Sequence, residues 1–368
     1  SEGAYTSDDG CEAWDSSVTG LVCCSSSEAT NWTTVLILVI GSGFFALIAC
    51  ILQVLIVMEI LEKERMQFVI PGVLFLAWGA AAGAYVSYFL SEAADAAAAD
   101  VVADAGAEEA WAGRAEEANV RKAIAGWEAV LGCSAGDGAP EKRCKDVKVD
   151  KSTVKVMSDL THAYYFLADG FLRSKEKEYL TTMDRGVWWG ERALAAASPE
   201  FAEKMAGKAK FYEAIKVVPA EGIEAMYWYA ACLGKWAKRT SFAVLLGQKD
   251  NIKATMERVL ELDPDFFHGA AHRYFGAYYA IAPGFAGGDP KKSEEHFAKS
   301  LEKAPYYLGT KVLIAEHLAT KLDDEERFKK ELQEVIDADP NATPGLEPES
   351  KIEQEKAKEL LDNIDEFF

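Results

Sequence analysis

The sequence predicts an all-α protein: a helical repeat domain of the α-solenoid kind, preceded by a transmembrane helical hairpin. Three observations predict it. Two apolar runs near the front are each long enough to cross a bilayer, which takes about 20 apolar residues. A helix end marked by proline returns at near-regular intervals through the second half, as it does in stacked helix pairs. No stretch after the apolar runs alternates Val, Ile or Thr with polar residues as a half-buried strand does, so sheet content close to nil is expected.

Residues 1–32 carry Glu2, Asp8, Asp9, Glu12, Asp15 and Glu28 and no Lys or Arg. Residues 33–60 read TTVLILVIGSGFFALIACILQVLIVMEI, uncharged until Glu59, and residues 68–90 form the second run. Between them, residues 61–67 hold Lys63 and Arg65, the first basic residues of the chain. Positive charge marks the cytoplasmic side of a membrane protein. The connecting loop is therefore expected inside, with the acidic tail and everything after Leu90 on the periplasmic, extracytoplasmic side of a two-pass inner-membrane protein. Leu47-Ile48-Ala49-Cys50 has the pattern of a lipoprotein cleavage box, but the run continues as ILQVLIVMEIL where a lipoprotein turns polar. The small residues Gly79 and Gly83, four apart, would let another helix approach closely, either the hairpin partner or a neighbouring membrane subunit.

Residues 91–150 begin with an Ala-rich, polar stretch full of strong helix formers, expected as a helical stalk that leads into the soluble domain. Residues 151–368 form the repeat domain. Its signature is an apolar helix end, acidic or small residues, then proline, in Val259–Pro264, Ser300–Pro305 and Val335–Pro340, with weaker forms ending at Pro199 and Pro219. Pro264, Pro305 and Pro340 fall 41 and then 35 residues apart, near the 34-residue unit of tetratricopeptide arrays. Proline lacks the N–H that a helix interior needs, so it ends one helix and opens the next. Each helix pair leaves an apolar face that only a neighbour can cover, so the units stack and leave a concave surface. The last segment, SKIEQEKAKELLDNIDEFF, is expected to cap the stack.

The formal charge of -20 argues against nucleic acid and anionic lipid as partners, because both need clustered Lys and Arg. Seven cysteines are too few for a disulfide scaffold and lack the paired spacing of a zinc site. Cys133 and Cys144 bracket a loop and could form one short disulfide, and Cys11 with Cys23 or Cys24 a second. Cys232, inside an aromatic helix, reads as an inert buried thiol.

From roughly Asp159 to the C-terminus the sequence resembles the T component of TRAP transporters, the TatT family of tetratricopeptide-like periplasmic proteins. The resemblance rests on Ala225–Ala230 (AMYWYA) followed by Leu233–Ala237 (LGKWA), then on Met256–Pro264, on His272–Tyr279 with Pro283-Gly284, and on Gly287–Pro290 leading into His296-Phe297. Asp184-Arg185-Gly186 ahead of Ala193-Leu194 matches an earlier block. The resemblance implies a helical repeat domain traversed by an apolar channel, often trimeric, that works with a periplasmic solute-binding protein on small organic-acid or hydrophobic ligands. The front of the chain departs from the pattern, since a hairpin stands where the family carries a lipoprotein signal. A structural or scaffold subunit of a larger membrane complex is therefore the alternative reading.

Tyr227, Trp228, Tyr229, Trp236, Tyr274, Phe275, Tyr278, Tyr279 and Phe285 form a dense aromatic population, with 274 and 278, like 275 and 279, on a common helix face. Such residues pack cores, and they also line apolar channels with a few polar handles. Arg273 could meet a ligand carboxylate, or pair with Glu295 or Asp289. His268 and His272 lie four apart, but no third ligand is evident and a hydrogen-bonding role is expected over a metal. Gly284, Gly287 and Gly288 sit in a loop without the GK[ST] ending of a phosphate cradle, ahead of a helix that Asp289 would cap and Pro290 open. No catalytic grouping stands out, so binding without enzyme chemistry or cofactor is expected.

Overall fold

The computed structural model describes residues 105–368, and every described element is helical. The expected membrane hairpin, Gly79, Gly83, Cys11, Cys23 and Cys24 lie outside the described residues. Among the described residues no helix is long and apolar enough to cross a membrane.

The chain enters through α1 (residues 105–112) and α2 (Glu117–Val130). Val120, Ala123, Ile124 and Trp127 repeat at helical spacing and form the buried stripe of α2. A loop follows in which Cys133 and Cys144 are joined by a disulfide. Arg143 within that loop donates to the buried Glu128 at 2.6 Å, and Glu128 also accepts from the Tyr164 hydroxyl at 2.7 Å. The loop is thereby tied to the core by charge-assisted bonds as well as by sulfur.

Helices then pack in pairs. α3 (Val154–Phe171) lies against α4 (Glu176–Ala197), and the short α5 (Pro199–Ala206) follows, opened by Pro199 and capped by Ser198, which accepts from the Phe201 amide at 3.1 Å. α6 (Ile223–Thr240) packs on α3 and α4, and α7 (Phe242–Leu262) packs on α6. Only Ser241 separates those two, and its side chain caps α7 at the Val244 amide. α8 (Phe266–Ile281) pairs with α9 (Pro290–Lys303), where Asp289 caps and Pro290 opens. α10 starts at Gly309–Leu313, passes through a π-helical stretch, Ile314–Ala319, and ends in Thr320–Leu322. It packs on α11 (Glu325–Asp337), which in turn carries α12 (Glu347–Asp362). Pro264, Pro305 and Pro340 each fall in the connection between two of these helices.

The terminal segment does more than cover an end. Arg114 donates to both oxygens of Glu349 at 2.9 and 2.8 Å, Arg173 to Glu359 at 2.8 and 3.1 Å, and Lys356 to Asp169 at 2.5 Å. α12 thus reaches back to the chain entry and to α3, and the row of helices closes on itself.

α8 and α9 approach closely at Gly276. A Cβ there would lie 2.6 Å from the ring of Phe297, which is 1% exposed, and the Ser293 hydroxyl donates to the Gly276 carbonyl at 2.7 Å. Gly276→Ala should therefore separate α8 from α9 and cost about 2 kcal/mol by overpacking, read as a lowered urea midpoint with an unchanged slope.

Candidate functional site

The helices line a half-open cavity of about 300 Å³, at the lower end of the size range of small-molecule sites. Its wall comes from one helix of each successive pair, α3, α6, α8 and α10, together with α7 and α12. At 100° per residue, neighbours one and four positions apart share a helix face. That is how Tyr227, Trp228, Lys235 and Lys238 of α6, or Arg273, Tyr274, Ala277 and Tyr278 of α8, reach the same space.

One end of the cavity is aromatic. His162 of α3 stacks on Trp228 with ring centres 3.5 Å apart and planes 10° apart. Phe267 stands edge-on to Trp228 at 4.8 Å and to Tyr307 at 5.8 Å. Arg273 lies beneath, 4% exposed, its guanidinium 4.1 Å from the centre of the Tyr307 ring. Nη1 of Arg273 donates to the carbonyl of His268 at 3.0 Å, and Nη2 donates to the carbonyl of Phe267 at 3.3 Å and to the Tyr227 hydroxyl at 3.4 Å. It pairs with neither Glu295 nor Asp289, and no carboxylate among the described residues forms an ion pair with it. Burial, with a smaller contribution from the Arg114 charge, pushes His162 well below its ordinary value. Its imidazole is neutral at physiological pH and can donate and accept.

The wall's carboxylates are all matched. Asp169 of α3, 5% exposed, accepts from Lys235 at 2.8 Å and from Lys356 at 2.5 Å, with the Tyr165 hydroxyl at 3.3 Å. Glu353 takes Lys356 at 2.7 Å, Glu316 takes Lys238 at 3.1 Å, and Glu349 takes Arg114. Against that background Arg273 stands out as a buried charge with only neutral oxygens and a ring face around it. Much of the remaining wall is apolar or aromatic, with Ile252 and Met256 of α7 and Tyr274 and Tyr278 of α8.

Of the residues singled out from sequence, Tyr227, Trp228, Arg273, Tyr274 and Tyr278 lie in this wall. Trp236, Tyr279 and Phe285 do not. Trp236 is rotated roughly 80° past the edge of the α6 arc that faces the cavity, and it packs on the core side. Tyr279 sits beside His296 at 5.5 Å, behind the wall, and Phe285 is 86% exposed in the loop before α9. His268 and His272 part company: His268 meets the Tyr306 hydroxyl at 3.2 Å, and His272 meets His296 Nδ1 at 3.1 Å. Cys232 is buried, with its thiol 3.6 Å from the Thr161 carbonyl, and burial pushes it up, out of the reactive range. His162, Asp169, Tyr307 and Lys356 were not singled out, because each sits alone in an ordinary amphipathic helix or helix end.

These features define an all-helical protein with an internal aromatic cavity of small-molecule size. The chain belongs to the TRAP transporter T-component family, whose model matches residues 179–368. That is a family of transporter components, and the match covers α6 to α12 and most of α4 but stops short of α3. A search of curated proteins finds no match to the chain.

Asp169 gives the site a pH signature. Burial alone would raise its carboxyl, but the attraction and hydrogen bonds of Lys235 and Lys356 outweigh it and hold the carboxyl far below its ordinary value. A lowered carboxyl contributes stability that is complete above its unfolded value, near pH 4, and is lost as pH falls toward the folded value. Asp169→Asn should cost about 3 kcal/mol at pH 7 by leaving Lys235 without its carboxylate and Lys356 with only Glu353. The deficit should narrow below about pH 4, as urea unfolding of both proteins at several pH values will show.

Proposed function

We propose that the chain is a membrane-anchored periplasmic component of a TRAP-type transporter, in which a tetratricopeptide-like stack holds a small organic acid in its cavity and offers an outer face to a solute-binding protein. The observation that carries the reading is Arg273. A buried guanidinium without a carboxylate is costly in a folded protein, and this one lies in the wall of an aromatic cavity where an acid would complete it. The neutral His162 and the Tyr307 hydroxyl stand ready as further polar contacts, and the Ile252, Met256 and Tyr274 side chains would take the apolar body. Family membership supports the transporter role. The Cys133–Cys144 disulfide supports the extracytoplasmic location, since such bonds persist in oxidising compartments.

Titration calorimetry with octanoate, and with 1-octanol as the uncharged match, tests the ligand class. Octanoate should bind and octanol should bind at least tenfold more weakly, while Arg273→Gln should erase the difference, the usual worth of a hydrogen bond to a charged group. Equal binding of acid and alcohol by the native protein would remove the role given to Arg273. Affinity capture of the full chain from its source membrane tests the rest: a TRAP solute-binding or membrane subunit should come with it, and recovery of unrelated membrane subunits alone would favour a scaffold role.

A further inference from the structure

α8 opens with a backbone anomaly. Phe267 (φ 41, ψ 60), His268 (φ 60, ψ 43) and Gly269 (φ 68, ψ 33) are three consecutive left-handed residues. Glycine is at home there, but for L-residues that region crowds Cβ against the backbone, and a bulky side chain such as Phe is a clear outlier. Strain of this kind persists only where the surroundings hold it, and it gathers at functional sites.

The holder here is Arg273. A guanidinium has five N–H groups in a planar fork. Each of its two terminal nitrogens gives a hydrogen to one carbonyl of the left-handed turn, Nη1 to His268 and Nη2 to Phe267. Two oxygens placed side by side across both terminal nitrogens are what a carboxylate presents when it binds arginine end-on. The carbonyls are uncharged, so they fill the positions without neutralising the cation. We propose that the Phe267–Gly269 turn is a built-in stand-in for the ligand's carboxylate, and that an incoming acid displaces it, so that anion binding and release of the turn are one event. This rests on the acid-binding reading of the cavity.

The turn is wired to both sides of the wall. The Phe267 ring packs on Trp228 and Tyr227, at 4.8 and 5.4 Å, and lines the cavity together with Arg273. The His268 ring stacks on Tyr307 at 5.1 Å and bonds to Tyr306, which is 45% exposed in the connection after α9. Release of the turn frees both rings together, and occupancy of a buried site becomes readable on the surface at Tyr306.

A protein that must first give up a self-contact binds its ligand more weakly by the fraction of molecules already open. Gly269→Ala therefore separates this proposal from a merely structural turn. A Cβ at Gly269 would meet Lys303 and Ser300 at 3.5 Å, ordinary contact distance, so the substitution penalises the left-handed backbone without a clash. It should lower the melting temperature of the free protein and tighten octanoate binding at least about fivefold, the factor equivalent to the lower end of the left-handed penalty on an L-residue. In the wild type, amides 266–271 should exchange faster with octanoate present and be unchanged by 1-octanol. Weaker or unaltered octanoate binding by Gly269→Ala, or exchange that does not respond to octanoate, overturns the proposal. If that variant does not fold, the exchange measurement on the wild type decides alone. Octanoate binding that depends on Arg273 but ignores Gly269→Ala sinks the stand-in and leaves the acid-binding reading intact. A wild type that binds no octanoate removes both.

Discussion

Asp169 holds the ring of helices shut. Its carboxylate takes one lysine from α6 and one from α12, so three elements far apart in sequence meet at a single buried atom group. Ion pairs of this kind add little net stability, because two or more charges must leave water to form them. Their worth here is geometric. An apolar contact between α3 and α12 would tolerate sliding, whereas a carboxylate between two ammonium groups fixes the register at which the last helix returns. Residues of all three elements line the same cavity as Arg273.

Much of the fold can be read directly from residues. The prolines at 264, 305 and 340, and the Asp289-Pro290 pair, mark where helices stop and start because their backbone chemistry is local. The aromatic spacing in Tyr227-Trp228 and Tyr274-x-x-x-Tyr278 is equally local, and both sets reach the cavity. What could not be read is anything that depends on which helix lies opposite. Lys235 and Lys356 look like solvated charges on amphipathic helices until Asp169 is brought against them. Trp236 and Tyr279 have the same composition and neighbourhood as the cavity residues, and only their helical phase relative to the neighbouring pair keeps them out. The left-handed turn left one trace, a glycine three residues after Phe266 in the motif FFHGAAHRY, but glycine in a helix has several meanings and only the structure selects one.

The boundary of the family match carries its own information. It begins at Tyr179, within α4, so His162, Tyr165 and Asp169 come from a helix that lies outside the matched residues. The Arg273 end and the α12 closure belong to the shared part, while the ring that stacks on Trp228 and the anion that fixes Lys356 are supplied from outside it.

Closure by the C-terminal helix also dictates the order in which the molecule can be made. As the chain leaves the ribosome, α3 emerges early and must wait for Lys356, which lies 187 residues after Asp169. Until then Asp169 has only Lys235 for company, and the aromatic hollow stays open along one side. Domains dominated by such distant pairings fold slowly and expose apolar surface meanwhile. The nascent protein is thus incomplete as a container until α12 has been made, and loss of that helix yields a wall short of one stave.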